Sequence, residues 1–377
     1  MHSTISAGLY PIAQERAVSV TESNDPVSAM AAVTVVDATM EAAEAKEPAE
    51  VGVGDERRSA DPERIGPSRL LSLHPVLAAA LAVPGCRAVY AVAFGLDGDV
   101  LAAADGNGFT YLWDMAGGLA ATFAHPGSRG VIGVAFDPDN ELLAAADANG
   151  RAYLWDLISG DLARTFVSRR SGGLNGVAFG RDGNLLAAAG GDGRVHLWDV
   201  VSGQPAGSFI IPGSPTVYAV ASGPGGRVLA AACGNGWVYL WDMSTHQLAG
   251  AFPHPGSQGV NGVAFGPGGA MLAAADGNGQ VYLWDVASGK LAGAFPHPGS
   301  QGVNGVVFAP DGAMLAAGDG NGQVYLWDTV SGQLAGAFAA PGSRGVNAVA
   351  FAPGGDLLAA ADGNGCTYLW QLSPSAP

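Results

Sequence analysis

Short apolar runs alternate with polar, Gly- and Pro-rich breaks from about residue 72 to residue 371. Residues 248–285 show the unit. "LAGAF" is an apolar run, "PHPGSQG" a loop, "VNGVAF" a second run and "GPGG" a tight turn; then come "MLAAA", the hairpin signal "DGNG", "VYLW" and the turn "DVASG". The runs are about five residues long, the usual length of a strand and too short for an ordinary helix. Four strands separated by turn chemistry therefore fit in one period. Such a unit cannot cover both its faces alone. Copies stacked in a ring cover each other and leave only short edges.

The period is read from one tryptophan per unit: Trp113, Trp155, Trp198, Trp241, Trp284, Trp327 and Trp370. Successive steps are 42 residues once and 43 residues five times. Seven copies at a fixed period define a repeat architecture within which every other motif must be read. The "LWD" ending of the third strand, the "VAFGPDG"-like turns and the 43-residue spacing resemble WD repeats. The resemblance implies an all-β, seven-bladed β-propeller. The segment after Trp370, "QLSPSAP", is too short and Pro-rich to be a last outer strand. The expectation is that "VLAAALAV", residues 76–83, supplies it and closes the ring, which removes an unpaired edge. The propeller is placed at 71–372, with a C-terminal stub at 373–377. The Ala- and Gly-rich units are also similar to bacterial WD-repeat proteins, in particular actinobacterial ones.

Residues 1–70 differ in kind. Up to residue 66 they carry 12 acidic and 5 basic side chains and include "EAAEAKEPAE". Acidity with low hydrophobicity predicts a disordered tail. The whole chain has a formal net charge of −16, which argues against nucleic acid or an anionic membrane as partner. Its three cysteines suggest neither a disulfide framework nor a zinc knuckle. The start lacks a signal-peptide pattern, and the apolar segment near residue 76 is too short to span a bilayer. The expectation is a cytoplasmic monomer.

The "DGNG" loops raise a calcium question. With Asp276 at position 3 of an EF-hand loop, Asn278, Gly279 and Asp285 fall at positions 5, 6 and 12. Position 1 is then Ala274, which offers no side-chain oxygen, and Gly190 and Cys233 replace the Asp in two other copies. Asn-Gly is the preferred hairpin pair because both residues tolerate positive φ, so the turn reading is favoured over a weak metal site. His125, His254 and His297 sit in "HPG" loops of different units, so they do not converge on one metal; each is expected to bond to nearby backbone. No Ser/His/Asp arrangement, nucleophile elbow, Walker loop or kinase signature is readable, which predicts a protein without catalytic residues, metal or cofactor.

The resemblance implies a scaffold that docks other proteins, usually on the face carrying the d–a and b–c loops. It also implies a buried set of His, Ser or Thr, Asp and Trp in each unit. Here the Trp is present in all seven, while Ala274 and Ala317 hold the strand-b position, so the set is largely missing and the indole acceptor is unidentified. Positions where copies differ point to a partner. The second residue of the first strand is Tyr90, Ile132, Asn175, Tyr218, Asn261, Asn304 and Asn347, which in the family rims the central channel. Phe109 and Trp237 start third strands, and Arg129, Arg169, Arg170 and Arg344 stand in the connecting loops. Tyr, Trp and Arg dominate binding hot spots. The candidate partner surface is therefore Tyr90, Phe109, Arg129, Arg169, Arg170, Tyr218, Trp237 and Arg344. Two further readings are a carbohydrate or small-ligand site in the aromatic, Asn-rich mouth, and occupation of the basic sector by the chain's own acidic tail.

Overall fold

The computed structural model describes residues 73–374, apart from 169, 170, 214, 255, 297–299 and 301. The acidic segment 1–70 therefore lies outside the described residues. The chain forms seven four-stranded antiparallel sheets. In the first blade strand a is Val89–Phe94, b Val100–Asp105, c Phe109–Asp114 and d Gly118–Ala124. Each strand a adjoins the strand a of the next blade, and that of blade seven adjoins that of blade one, so the ring is closed. Strand direction alternates, which puts all d–a loops and b–c turns on one face and all a–b and c–d turns on the other.

The closing strand is the N-terminal Leu73–Ala82, paired antiparallel with Cys366–Pro374 as the outer strand of blade seven. The pairing bears out the expected closure. The strand begins three residues before the expected 76–83 and ends one residue earlier, because its partner continues to Pro374, past the expected stub boundary. Among the described residues no helix is long and apolar enough to cross a membrane.

Small residues let the blades approach. Strand b carries an Ala run, such as Ala102, Ala103 and Ala104, with at most 2% exposure. A Cβ on Gly133 of blade two would lie 2.8 Å from the Gly176 Cα of blade three, so at this contact only glycine permits the spacing, while the fully buried Ala91, Ala219 and Ala348 hold the same position in blades one, four and seven. Farther out the seams are aromatic. The Phe of strand d packs on the strand-c Trp of the following blade: Phe123 on Trp155, Phe166 on Trp198, Phe209 on Trp241, Phe252 on Trp284, Phe295 on Trp327 and Phe338 on Trp370, with ring centroids 4.9–5.7 Å apart. The closing strand has Leu81 at this register. Among the described residues Trp113 of blade one accordingly lacks an aromatic cover and is half-buried, while the other six repeat tryptophans are at most 9% exposed.

The second residue of strand a sits at a bulge in every a–b pairing, for example between Val346 and Ala348. It is free to turn toward the neighbouring blade. Four asparagine amides donate there to the first carbonyl of the next strand a: Asn175 to Val217, Asn261 to Val303, Asn304 to Val346 and Asn347 to Val89, at 2.8–2.9 Å. The rim asparagines are thus clasps between blades. Asn347→Ala removes the clasp across the closure and leaves a buried carbonyl unpaired. Urea unfolding should show a loss of about 1–3 kcal/mol; a midpoint equal to wild type would refute the role.

Candidate functional site

The loop face is built by docking each d–a loop on the b–c turn of the next blade. Asp276 shows how the turn is held. Its Oδ1 accepts the backbone N–H of Asn278 and of Gln280, both at 3.0 Å. Asp105, Asp147 and Asp319 do the same in their blades, and all four are 0% exposed. The Asn of "DGNG" reaches back: Asn107, Asn149 and Asn278 donate to the carbonyls of Gly85, Gly127 and Gly256 in the preceding loops. Oδ1 of Asp276 and Oδ1 of Asp285 are thus engaged in turns, whereas the Oδ2 atoms of Asp276 and Asp319 are buried without a protein partner. One detail of the expectation is corrected. Gly279 has φ +82°, but Asn278 is not in the positive-φ region; the loop is a four-residue turn with the Gly279 N–H donating to the Asp276 carbonyl. The extra length gives Asn its reach to the previous loop.

The histidines also depart from expectation. His125 and His254 are 4% exposed and lie inside seams rather than on the loop surface. His125 Nε2 lies 2.9 Å from Thr110 Oγ1, and its Nδ1 accepts the Trp155 indole N–H at 3.4 Å. That supplies one of the indole acceptors missing from the sequence. His254 packs on Tyr282 and Trp284 of blade five, but Val238 stands where blade one has Thr110. Both His254 nitrogens and the Trp284 indole nitrogen are buried without a protein partner. His297 lies outside the described residues.

Blade three brings together three residues that the sequence showed no reason to group. Gly190 replaces the strand-b Asp and His196 the strand-c Tyr. A Cβ on Gly190 would lie 2.4 Å from Asp192 Oδ1, so the Asp192 carboxylate fills the space that the missing side chain leaves. His196 Nε2 is 3.1 Å from Asp192 Oδ1 and 3.2 Å from Ser168 Oγ. A cleft of about 420 Å³ opens beside them, lined also by Arg194, Pro205 and Ser208. The catalytic triad needs Asp and Ser on opposite ring nitrogens. Here both approach Nε2 most closely, which makes the group a substitute for the Asp–Tyr pair of other blades (Tyr111 and Tyr153 donate to Asp105 and Asp147 at 3.2 Å).

Charge divides sharply between the faces. On the loop face Arg87, Arg129 and Arg344 are exposed, and Arg151 and Arg194 are half-buried. The acids of that face are the turn aspartates, all 0% exposed, and Asp192, with its side chain 18% exposed. On the opposite face six of the seven c–d turns open with the Asp of "LWD": Asp114, Asp156, Asp199, Asp242, Asp285 and Asp328. Hydrogen bonds from Ser244 and the Thr245 backbone hold the Asp242 carboxyl down at about 2, so it stays ionised. Further acids in five of the a–b turns face only Arg181, Arg227 and Lys290 in these turns.

The structure places Tyr90, Phe109, Arg129, Tyr218, Trp237 and Arg344 on the loop face; Arg169 and Arg170 lie outside the described residues. Tyr90 and Tyr218 are half-buried over Gly106 and Gly234 of their own b–c turns. Trp237 is 37% exposed and stacks on Tyr239, with centroids 6.2 Å apart. The candidates do not form one cluster. Tyr90 and Phe109 belong to blade one, Tyr218 and Trp237 to blade four. Arg87 was missed, although "PGCR" has the register of "PGSR" at Arg129 and Arg344.

The family described as WD domain, G-beta repeat, matches residues 117–156, 160–199, 203–242, 247–285, 289–328 and 332–371. The chain belongs to this family. Each matched span runs from strand d of one blade through strand c of the next. The seventh such unit, Leu73–Asp114, lies outside the matched spans and completes the ring with Leu81 in the phenylalanine position. No curated protein matches the chain.

The buried histidines give the fold a pH dependence. Burial lowers both from the usual 6.5 to about 4. Between these values the unfolded chain binds protons that the folded chain refuses. Stability present above about 6.5 is therefore lost as pH falls toward about 4, by up to about 3 kcal/mol per histidine. His254→Phe should make the fall of Tm over this window shallower than in wild type; an identical pH profile would contradict the assignment.

Proposed function

We propose that the propeller is a non-catalytic adaptor that docks other proteins on its loop face, acting as a cytoplasmic monomer without nucleic acid or membrane as partner. The observation that carries this reading is where the repeat is broken. Residues shared by the seven units build blades and seams, whereas Tyr90, Phe109, Arg129, Tyr218, Trp237 and Arg344 depart from the shared pattern and all reach the loop face. Trp237 is left 37% exposed and stacks on Tyr239 of its own strand, outside the Phe–Trp pairs that fill the seams. Exposed Trp and Arg beside half-buried Tyr are the composition of a docking surface. Family membership supports the reading, since the fold presents loops on a rigid ring.

The test is a quadruple alanine variant at Tyr90, Arg129, Trp237 and Arg344. Far-UV circular dichroism should match wild type, while recovery of partners by pull-down falls at least tenfold. Arg181→Ala with Arg227→Ala, on the other face, should leave recovery unchanged. Equal recovery by the folded quadruple variant would end the reading.

A further inference from the structure

Arg344, Arg87 and Arg129 occupy the same register in three consecutive d–a loops, those entering blades seven, one and two. They therefore form an arc over neighbouring blades, with Tyr90 and Phe109 of blade one between them. All three arginines are exposed, and among the described residues none makes an ion pair with an acid. The turn aspartates beneath them are 0% exposed and bonded to backbone, so their carboxylates are not presented at the surface. The opposite face carries most of the acid of the disc. We infer that the arc of Arg344, Arg87 and Arg129 is the seat of an acidic polypeptide segment, rich in Asp or Glu, which rests on the docking function proposed above and names the chemistry of its partner.

Charge complementarity argues for this occupant. A guanidinium presents a planar fork that takes a carboxylate through two hydrogen bonds. Loops spaced one blade apart offer three such forks to separate side chains of an extended segment. Half-buried Tyr90 and Phe109 add apolar contact without competing acceptors other than the phenol. Nucleic acid fits less well. Its affinity grows with the number of phosphates neutralised, and three exposed arginines on a disc of opposite overall charge supply few.

The probe is fluorescein-labelled octaglutamate, titrated into the full chain and followed by anisotropy. Because the chain's own Glu41, Glu44, Glu47 and Glu50 could hold the arc, the same titration uses a full-length variant with all four changed to Gln. Binding in either protein that weakens at least tenfold in the Arg87→Gln, Arg129→Gln, Arg344→Gln variant, but not in Arg181→Gln with Arg227→Gln, supports the inference, as does tighter binding after the Glu-to-Gln changes. The binding should also weaken as salt is raised, since exposed charges are screened. Absence of binding in both proteins overturns it. Equal binding by the triple variant, or tighter binding of a single-stranded octanucleotide than of octaglutamate, also overturns it. If the Tyr90→Ala, Trp237→Ala pair abolishes partner recovery while the arginine variant does not, the adaptor reading stands and this one falls.

Discussion

The contact between a strand-d phenylalanine and the next blade's strand-c tryptophan is the interaction on which the ring depends. Each blade is a twisted sheet with too little apolar surface to be stable alone. Alanine and glycine line the inner strands, where curvature leaves little room, so bulk must enter farther out. The Phe–Trp pair fills that wedge at six of the seven seams. Rings of this size bury a large apolar area, and offset aromatic contacts add roughly 0.5–1.5 kcal/mol beyond it. The seventh seam is made by a strand that arrives from the other end of the sequence and brings Leu81. Trp113 shows the difference in its exposure.

Much of this is legible in the sequence. A tryptophan every 43 residues, turn signals between short apolar runs and an outer strand missing at one end are local features, and they fix blade number and closure. What could not be read is what depends on a neighbouring blade. Asn175, Asn261, Asn304 and Asn347 looked like a polar channel rim because their acceptors are 42 residues away, or across the closure, in the next sheet. His125 looked like a loop residue because Thr110 and Trp155 meet it from two different blades. The Ser168, His196 and Asp192 group combines a loop, a strand and a turn, and its logic appears only when Asp192 is seen to fill the space above Gly190. Of the candidate partner residues that are described, all lie on the loop face, with Arg129, Trp237 and Arg344 exposed and Tyr90, Phe109 and Tyr218 half-buried. Their division between blades one and four was visible in the numbering, but its geometric meaning required the ring.

The aspartates do two different jobs at the two ends of the strands. On the loop face they are buried, bonded to backbone N–H groups and hidden beneath the arginines. On the other face the aspartates of "LWD" also hold turns, as Asp285 does by accepting from Ser288, but they remain at the surface as charge. One residue type with one turn-forming property therefore produces electrically unlike faces, because the b–c turn is roofed by the preceding d–a loop and the c–d turn is not. The polarity of the disc follows from the stacking of the blades rather than from a separate set of surface residues.

The uneven distribution of asparagine clasps has a mechanical consequence. An unbroken chain of clasps runs from blade five through six and seven to one, so the topological join is among the well-fastened places. The seam between blades four and five has Tyr218 in place of a clasp, and the buried nitrogens of His254 and Trp284 meet there without protein partners. Under tension or heat this hoop should part first at that seam, far from its latch, and the closing strand Leu73–Ala82 would stay knitted to Cys366–Pro374 while the opposite side gapes.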